Sequence, residues 1–151
     1  MTEPTLAPDR TRVQMVAVLT GISFLIVGVF GFIPGITTNF DDLAFAGEGS
    51  KAQLLGVFQV SVLHNIVHLI FGGAGITMAR TWEGARAFLI GGGILSVALG
   101  MLGVLKGADW IPADSADNWL HLGVGLGMIA VGLAFATARG KRATQDVGRP
   151  A

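Results

Sequence analysis

All three histidines of the sequence lie in long apolar stretches, where a side chain that can bind a metal or transfer a proton stands out. His64 and His68 are one helical turn apart in VLHNIVHLI, and His121 lies in NWLHLG. Imidazoles from two facing helices can ligate a haem iron or another metal. One hypothesis is therefore a haem- or metal-binding membrane redox protein, with haem b as cofactor and His64, His68 and His121 as candidate ligands. The sequence contains no cysteine, and no acidic third ligand lies inside these apolar stretches.

A structural interpretation of the same residues competes with this one. Asn65 precedes His68 by three residues, and Asn118 precedes His121 by the same spacing. Residues three and four apart share a helix face, and polar faces inside a membrane point into the protein. We expect these asparagines and histidines to hydrogen-bond each other across helices, each bond contributing about 1–2 kcal/mol at most. The predicted interhelical polar network comprises Ser61, His64, Asn65, His68, Asn118 and His121.

The sequence contains no recognisable catalytic motif. The triplet Gly91-Gly92-Gly93 lies in an apolar run and lacks the Lys-Ser/Thr that follows a phosphate-binding loop. Neither a Gly-x-Ser-x-Gly nucleophile nor a His-Glu-x-x-His zinc motif occurs. We therefore expect no enzymatic activity, no catalytic residue and no committed metal or cofactor site.

Four apolar runs must position these side chains, at about 14–33, 54–79, 87–105 and 119–138. Each can cross a hydrocarbon core of about 30 Å as a helix, and none contains Lys, Arg, Asp or Glu. Charged residues make up 13% of the chain, about half the usual share of roughly 25%. The predicted fold class is all-α, a bundle of four transmembrane helices in contact with the lipid bilayer.

Basic residues predict the orientation of the bundle. Eight of the ten lie in the two termini and the connection between the second and third runs, and only Lys51 and Lys106 lie in the other connections. By the positive-inside rule, both termini are cytoplasmic. The predicted organisation is an N-terminal tail at 1–12, a membrane domain at 13–139 and a C-terminal tail at 140–151. The charge pattern reflects membrane topology and does not indicate nucleic-acid binding.

The two halves of the chain share a spacing pattern that indicates a duplicated helical hairpin. Glycines of the first run recur in the third at a constant offset of 72 residues, and Asn-x-x-His-Leu of the second run recurs in the fourth at an offset of 53. Small residues allow membrane helices to approach closely. The glycines predicted to pack helices together are Gly31, Gly35, Gly72, Gly75, Gly103, Gly107, Gly123, Gly125, Gly127 and Gly132.

Several local sequences resemble a known family. These are PGITT at 34–38, VLHNIVHL at 62–69 and DNWLHL at 117–122. Over roughly residues 12–138 the chain resembles a family of small four-helix membrane proteins common in actinobacteria, domain of unknown function 4383. The resemblance implies four helices and a multi-pass location in the bacterial plasma membrane. It implies no activity.

Three function classes follow from these observations. The first is a small non-enzymatic protein that packs as an accessory or structural subunit in a larger membrane complex, for example a respiratory or transport complex, or with copies of itself. The Gly-rich helices and short connections favour it. The second is the redox protein described above. The third is a small permease or channel, although no buried charged residue accompanies the histidines.

Overall fold

The computed structural model of the chain describes residues 11–47, 49–105 and 114–147, with side chains described as far as residue 135. The described part of the fold is mostly helical and contains four α-helices, a short 3₁₀ helix at Phe40–Asp42 and three short strands. The helices are α1 (Arg12–Phe30), α2 (Val62–Met78), α3 (Trp82–Val104) and α4 (Ser115–Val147), and the strands are β1 (Thr37–Thr38), β2 (Gln53–Leu54) and β3 (Phe58–Gln59).

The predicted four-helix fold class is confirmed. By length and composition, α1, α3 and the part of α4 from Ser115 to Phe135 can each cross a membrane, and α2 is a shorter apolar helix of 17 residues. At a rise of about 1.5 Å per residue, α2 is about 26 Å long. Helix α4 continues through residues 140–147, which the sequence analysis assigned to the C-terminal tail.

The predicted start of the second span is wrong. Residues 54–61 are mostly apolar, but residues 54–59 form the end of β2, a tight turn and β3, and the helix begins only at Val62. Leu55 and Gly56 have positive φ angles of 56° and 71°, which a helix does not allow, and they reverse the chain so that Leu54 pairs with Phe58. Ser61 then caps α2 by accepting a hydrogen bond from the His64 amide.

The three strands form an antiparallel sheet in the order β1-β2-β3 between α1 and α2. A small apolar core of Ala52, Leu54 and Val60 lies beneath it. Asp114 joins this sheet to α4, because its Oδ2 accepts a hydrogen bond of 2.7 Å from the Gln59 amide of β3. We call this end of the bundle the sheet end.

Glycines bring the helices of each hairpin into backbone contact, α1 against α2 and α3 against α4. A Cβ atom added at Gly72 would lie 2.6 Å from the Gly21 carbonyl oxygen, and one added at Gly125 would lie 2.7 Å from the Gly93 carbonyl oxygen. Even close Cα–H···O contacts keep carbon and oxygen about 3.3 Å apart. Glycine is therefore required at both crossings. Gly93 follows Gly21 by 72 residues and Gly125 follows Gly72 by 53 residues, which are the offsets seen in the sequence.

A further level of the two hairpins matches in the same way. Towards the sheet end, the Asn65 amide lies against Gly31 and the Asn118 amide lies against Gly103, so that a methyl group at either glycine would overlap the amide. Gly103 again follows Gly31 by 72 residues, and Asn118 follows Asn65 by 53 residues. The two hairpins therefore use equivalent residues for equivalent contacts.

Away from the sheet end, side chains of α1 and α3 donate hydrogen bonds to backbone carbonyl oxygens of the partner hairpin segment. Gln14 Nε2 donates to the carbonyl oxygens of Ala79 at 3.1 Å and Arg80 at 3.0 Å. Arg86 Nε donates to the Gly132 carbonyl oxygen at 3.0 Å. Arg86 and Gly132 follow Gln14 and Ala79 by the same two offsets. The equivalence therefore extends from the sheet end to the level of Ala79 in the first pair and Gly132 in the second.

The glycines predicted to pack helices fall into two groups. A Cβ atom at Gly35, Gly123 or Gly127 would meet no atom within 4 Å, and Gly35 has a φ of 91° in the turn after α1. Gly107 lies outside the described residues. Close contacts are made at Gly31, Gly72, Gly75, Gly103, Gly125 and Gly132.

Candidate functional site: an imidazole cluster beside a cleft

The structure brings the three histidines together near the sheet end. The rings of His64 and His68 stack with centroids 4.2 Å apart, and the ring of His121 meets them edge-on at 6.1 Å and 5.9 Å. We call these three side chains the imidazole cluster. Its members come from both hairpins, because α2 supplies two rings and α4 supplies the third.

Two of these rings are oriented by their own helices. His68 Nδ1 lies 3.0 Å from the His64 carbonyl oxygen, and His121 Nδ1 lies 3.0 Å from the Asp117 carbonyl oxygen. A carbonyl oxygen only accepts hydrogen bonds, so Nδ1 carries the proton in both rings. In the neutral ring, Nε2 is then an acceptor. His68 and His121 therefore each present an acceptor nitrogen on the ring edge away from the helix backbone.

Among the described residues, no hydrogen bond joins the asparagine or histidine side chains of one half to those of the other. His68 and His121 donate within their own helices, and the histidines of the two hairpins meet through ring contacts instead. Asn65 is fully buried, yet neither atom of its amide has a hydrogen-bond partner among the described residues, since it lies against Gly31. A helical wheel gives the correct face of α2 but not the direction in which each polar atom points.

Asp117 belongs to the site, although it precedes the predicted fourth run at 119–138 and was not among the predicted site residues. Its side chain is buried, and its Oδ2 lies 3.3 Å from His121 Nδ1. Asp117 follows His64 by 53 residues, so the repeat offset was the signal that places it beside the cluster. Ser96, also missed, donates from its hydroxyl to the His121 carbonyl oxygen at 3.0 Å.

Capping side chains hold the starts of α2 and α4 in equivalent positions. Ser61 Oγ accepts from the His64 amide at 3.1 Å, and Asp114 Oδ1 accepts from the Asp117 amide at 2.9 Å. An oxygen at this position satisfies one of the backbone amides left unpaired at a helix start. Ser61 thus caps the helix that carries the cluster, and it contributes no free polar atom to it.

A cleft of about 540 Å³ lies beside the imidazole cluster, between the two hairpins. The glycine contacts hold each hairpin tightly together, whereas α1 and α4 make few contacts with each other. His64, His68, His121 and Asp117 line the cleft at the sheet end, where Leu55 of the β2–β3 turn also borders it. Its remaining walls are mainly apolar and include Val16, Phe24 and Val27 of α1 and Val124, Met128 and Val131 of α4.

The donor set for a metal is limited. Within residues 11–47, 49–105 and 114–135, no group of three or more His, Cys, Asp or Glu side chains is arranged to hold a metal ion. The imidazole cluster offers the Nε2 acceptors of His68 and His121 and the ring nitrogens of His64, and Asp117 beside it adds a carboxylate.

Three long apolar helices and a fourth, shorter one define a small helical membrane protein. The model of domain of unknown function 4383 matches residues 14–134, and the chain belongs to this family. The family resemblance seen in the sequence is therefore confirmed. Neither a search of curated proteins nor a search of solved structures gave a match.

Proposed function

We propose that the protein is a non-enzymatic multi-pass protein of the bacterial plasma membrane that works by packing against other membrane subunits or a second copy of itself. The observation that carries this proposal is an open glycine pair on α4. Gly123 and Gly127 are four residues apart on an exposed helix face, and a Cβ atom at either would meet no atom within 4 Å. Such a pair allows another membrane helix to approach the backbone closely.

The glycine pair is a feature of the second hairpin alone. The residues that precede Gly123 and Gly127 by the repeat offset of 53 are Ile70 and Ala74. The fold of a hairpin therefore does not require glycine at these two positions. The neighbouring Leu126 is 60% exposed, so a large apolar side chain lies beside the glycine pair. A groove of glycine bordered by leucine is the surface that close helix packing in a membrane uses.

The polar groups of the bundle also fit a protein without catalytic chemistry. His68 and His121 use Nδ1 to bond their own helices, and Ser61 caps α2. A general base or nucleophile needs a partner that activates it and room for the reacting group. The proposed role assigns these hydrogen bonds to orienting side chains and capping a helix, and it requires no cofactor.

The proposal includes a topology and an origin. Both termini lie in the cytoplasm, because eight of the ten basic residues belong to the termini and the α2–α3 connection. The bundle arose by duplication of a helical hairpin with both copies in the same orientation. The equivalent contacts of Gly21 with Gly72 and of Gly93 with Gly125 support this origin.

The test is purification of the tagged protein at its native expression level in mild detergent, with native mass spectrometry of everything retained. We expect larger membrane subunits or a defined oligomer, both lost in Gly123→Ile. Gly91→Ile is the matched control, because Gly91 is equally exposed on α3 and also has no atom within 4 Å of an added Cβ. A wild-type protein that runs as a lone monomer, or equal loss in both variants, would overturn the proposal.

A further inference from the structure

We propose that the cleft between the hairpins binds a lipophilic phenol, a molecule with one hydroxyl-bearing ring on an apolar body, and that the imidazole cluster holds its hydroxyl group. This binding site adjoins the packing surface proposed above, because Gly127 lines the cleft and Gly123 does not. Residues of α1, α3 and α4 line the cleft together with His64 and His68 of α2.

The volume and length of the cleft suit a small lipophilic molecule. Its volume of about 540 Å³ lies within the range of roughly 300–1,000 Å³ that small-molecule sites occupy. Along α1 it extends from Val27 to Val16, a distance of about 16 Å at the helical rise. The cleft therefore spans about half the thickness of a hydrocarbon core. An apolar chain of about the same length could lie along α1 and be covered by the walls of the cleft.

The polarity of the cleft selects the head of the ligand. At the sheet end the polar atoms that line the cleft are the Nε2 acceptors of His68 and His121, the ring nitrogens of His64 and the carboxylate of Asp117. Within residues 11–47, 49–105 and 114–135, no lysine or arginine lines the cleft. A group in which acceptors outnumber donors, with no described cation, favours a hydrogen-bond donor and disfavours an anionic head group. A hydroxyl group is a neutral donor, and it enters an apolar site at far lower cost than an ammonium ion.

The ring contacts favour an aromatic head over an aliphatic alcohol. Phe24 lines the cleft and lies against the His68 ring with centroids 5.3 Å apart. The His121 ring faces His68 edge-on at 5.9 Å. A flat ring beside these side chains gains the offset and edge-to-face contacts that aromatic groups prefer. The hydroxyl group of a phenol lies in the plane of its ring, which allows ring contact and hydrogen bonding together.

The direction of the cleft determines the orientation of a bound ligand. The imidazole cluster lies near the starts of α2 and α4, at the sheet end, whereas Val16 and Val131 line the opposite end. A bound phenol therefore has its hydroxyl group at the sheet end and its chain directed towards the other end of the bundle. Leu55, 64% exposed in the β2–β3 turn, borders the cleft beside the head. Binding would cover this exposed side chain.

The test compares 4-nonylphenol with 4-nonylanisole, which has the same apolar body and lacks the hydroxyl donor. Equilibrium binding is measured by titration calorimetry on the full chain in lipid nanodiscs, with protein-free nanodiscs as the partitioning blank. We expect saturable one-to-one binding of the phenol and binding of the ether weaker by about tenfold or more. The ¹⁵N resonances of the histidine rings should shift with the phenol and not with the ether. Equal affinities, or no binding above the blank, would overturn the inference.

Two matched pairs of variants localise the binding. His121→Asn keeps a side-chain donor near the position of Nδ1 but removes the Nε2 acceptor, whereas His121→Gln places an amide oxygen close to the position of Nε2. We expect the asparagine variant to lose binding by about tenfold and the glutamine variant to recover part of it.

The second pair fills the cleft. Gly127→Phe places a ring in the cleft and should abolish binding, whereas Gly123→Phe alters the same helix face outside it and should bind normally. Loss in both would assign the effect to packing between proteins and overturn the inference. A purified sample with a haem spectrum, or with stoichiometric metal bound by the imidazole cluster, would also overturn it.

Discussion

Replacing Gly72 by alanine tests whether backbone contact between α1 and α2 holds the first hairpin. The added Cβ would lie 2.6 Å from the Gly21 carbonyl oxygen, 2.7 Å from Leu25 Cγ and 2.8 Å from the Leu25 backbone nitrogen. Two of these atoms belong to the backbone, so a side-chain rotation cannot relieve the overlap. Restoring a normal separation of about 3.3 Å requires α1 and α2 to move apart by about 0.7 Å.

The cost of that movement can be worked out. A gap of about 0.5–1 Å forfeits about a quarter to a half of the dispersion attraction of each atom pair along the contact. Overpacking of this kind costs about 1–3 kcal/mol. Alanine also gains about 0.8–1.0 kcal/mol over glycine in helix propensity. Gly73→Ala is the matched control, because it gains the same propensity and its Cβ meets no atom within 4 Å.

The assay is the free energy of unfolding in mixed micelles, titrated with a denaturing detergent and followed by circular dichroism. Because helix propensity cancels between the two variants, we expect Gly72→Ala to be less stable than Gly73→Ala by about 1–3 kcal/mol. The second hairpin offers an independent repeat, with Gly125→Ala as the test and Gly127→Ala as the control. Equal stabilities within either pair would refute the role assigned to the glycine crossings.

Three other predictions concern hydrogen bonds and use the same unfolding assay. Asp114→Ala should lower the free energy of unfolding by about 1–2 kcal/mol, because it removes a helix cap and the acceptor for the Gln59 amide. Asp114→Asn should lose less stability. Wild-type stability in the alanine variant would contradict the capping role of Asp114. Ser61→Ala should cost about 1 kcal/mol and speed hydrogen exchange at the His64 amide, and unchanged exchange would count against it. Gln14→Leu should cost about 1–2 kcal/mol by removing two bonds to the end of α2, whereas no loss would show that water replaces them.

Hydropathy predicted the four helices because a membrane requires each span to satisfy its own backbone hydrogen bonds. It did not predict the sheet before α2. Leu54, Leu55 and Phe58 are as apolar as a helix core, and hydropathy records the tendency to be buried, not the backbone conformation. The local signal was Gly56, which punctuates the apolar run and takes a positive φ in the turn.

The candidate site was predictable in its members and not in its bonding. Helical periodicity and the repeat place the three histidines on interior faces, and the structure brings them together. Periodicity cannot tell that His68 Nδ1 turns back to its own helix, because that choice depends on the side-chain rotamer. Nor can it separate Gly125, which touches Gly93, from the open Gly123 and Gly127 two residues away on either side.

The hairpin arrangement also bears on how the chain assembles as it is made. The closest contacts join helices that are neighbours in sequence, such as those of Gly21 with Gly72 and Gly93 with Gly125. Contacts between neighbouring segments close early and rapidly, because little chain has to be ordered before they form. We therefore expect the first hairpin to complete its own interface before α3 leaves the ribosome. We expect insertion in two steps, each adding a finished pair of helices, with the cleft formed only when the second pair joins the first.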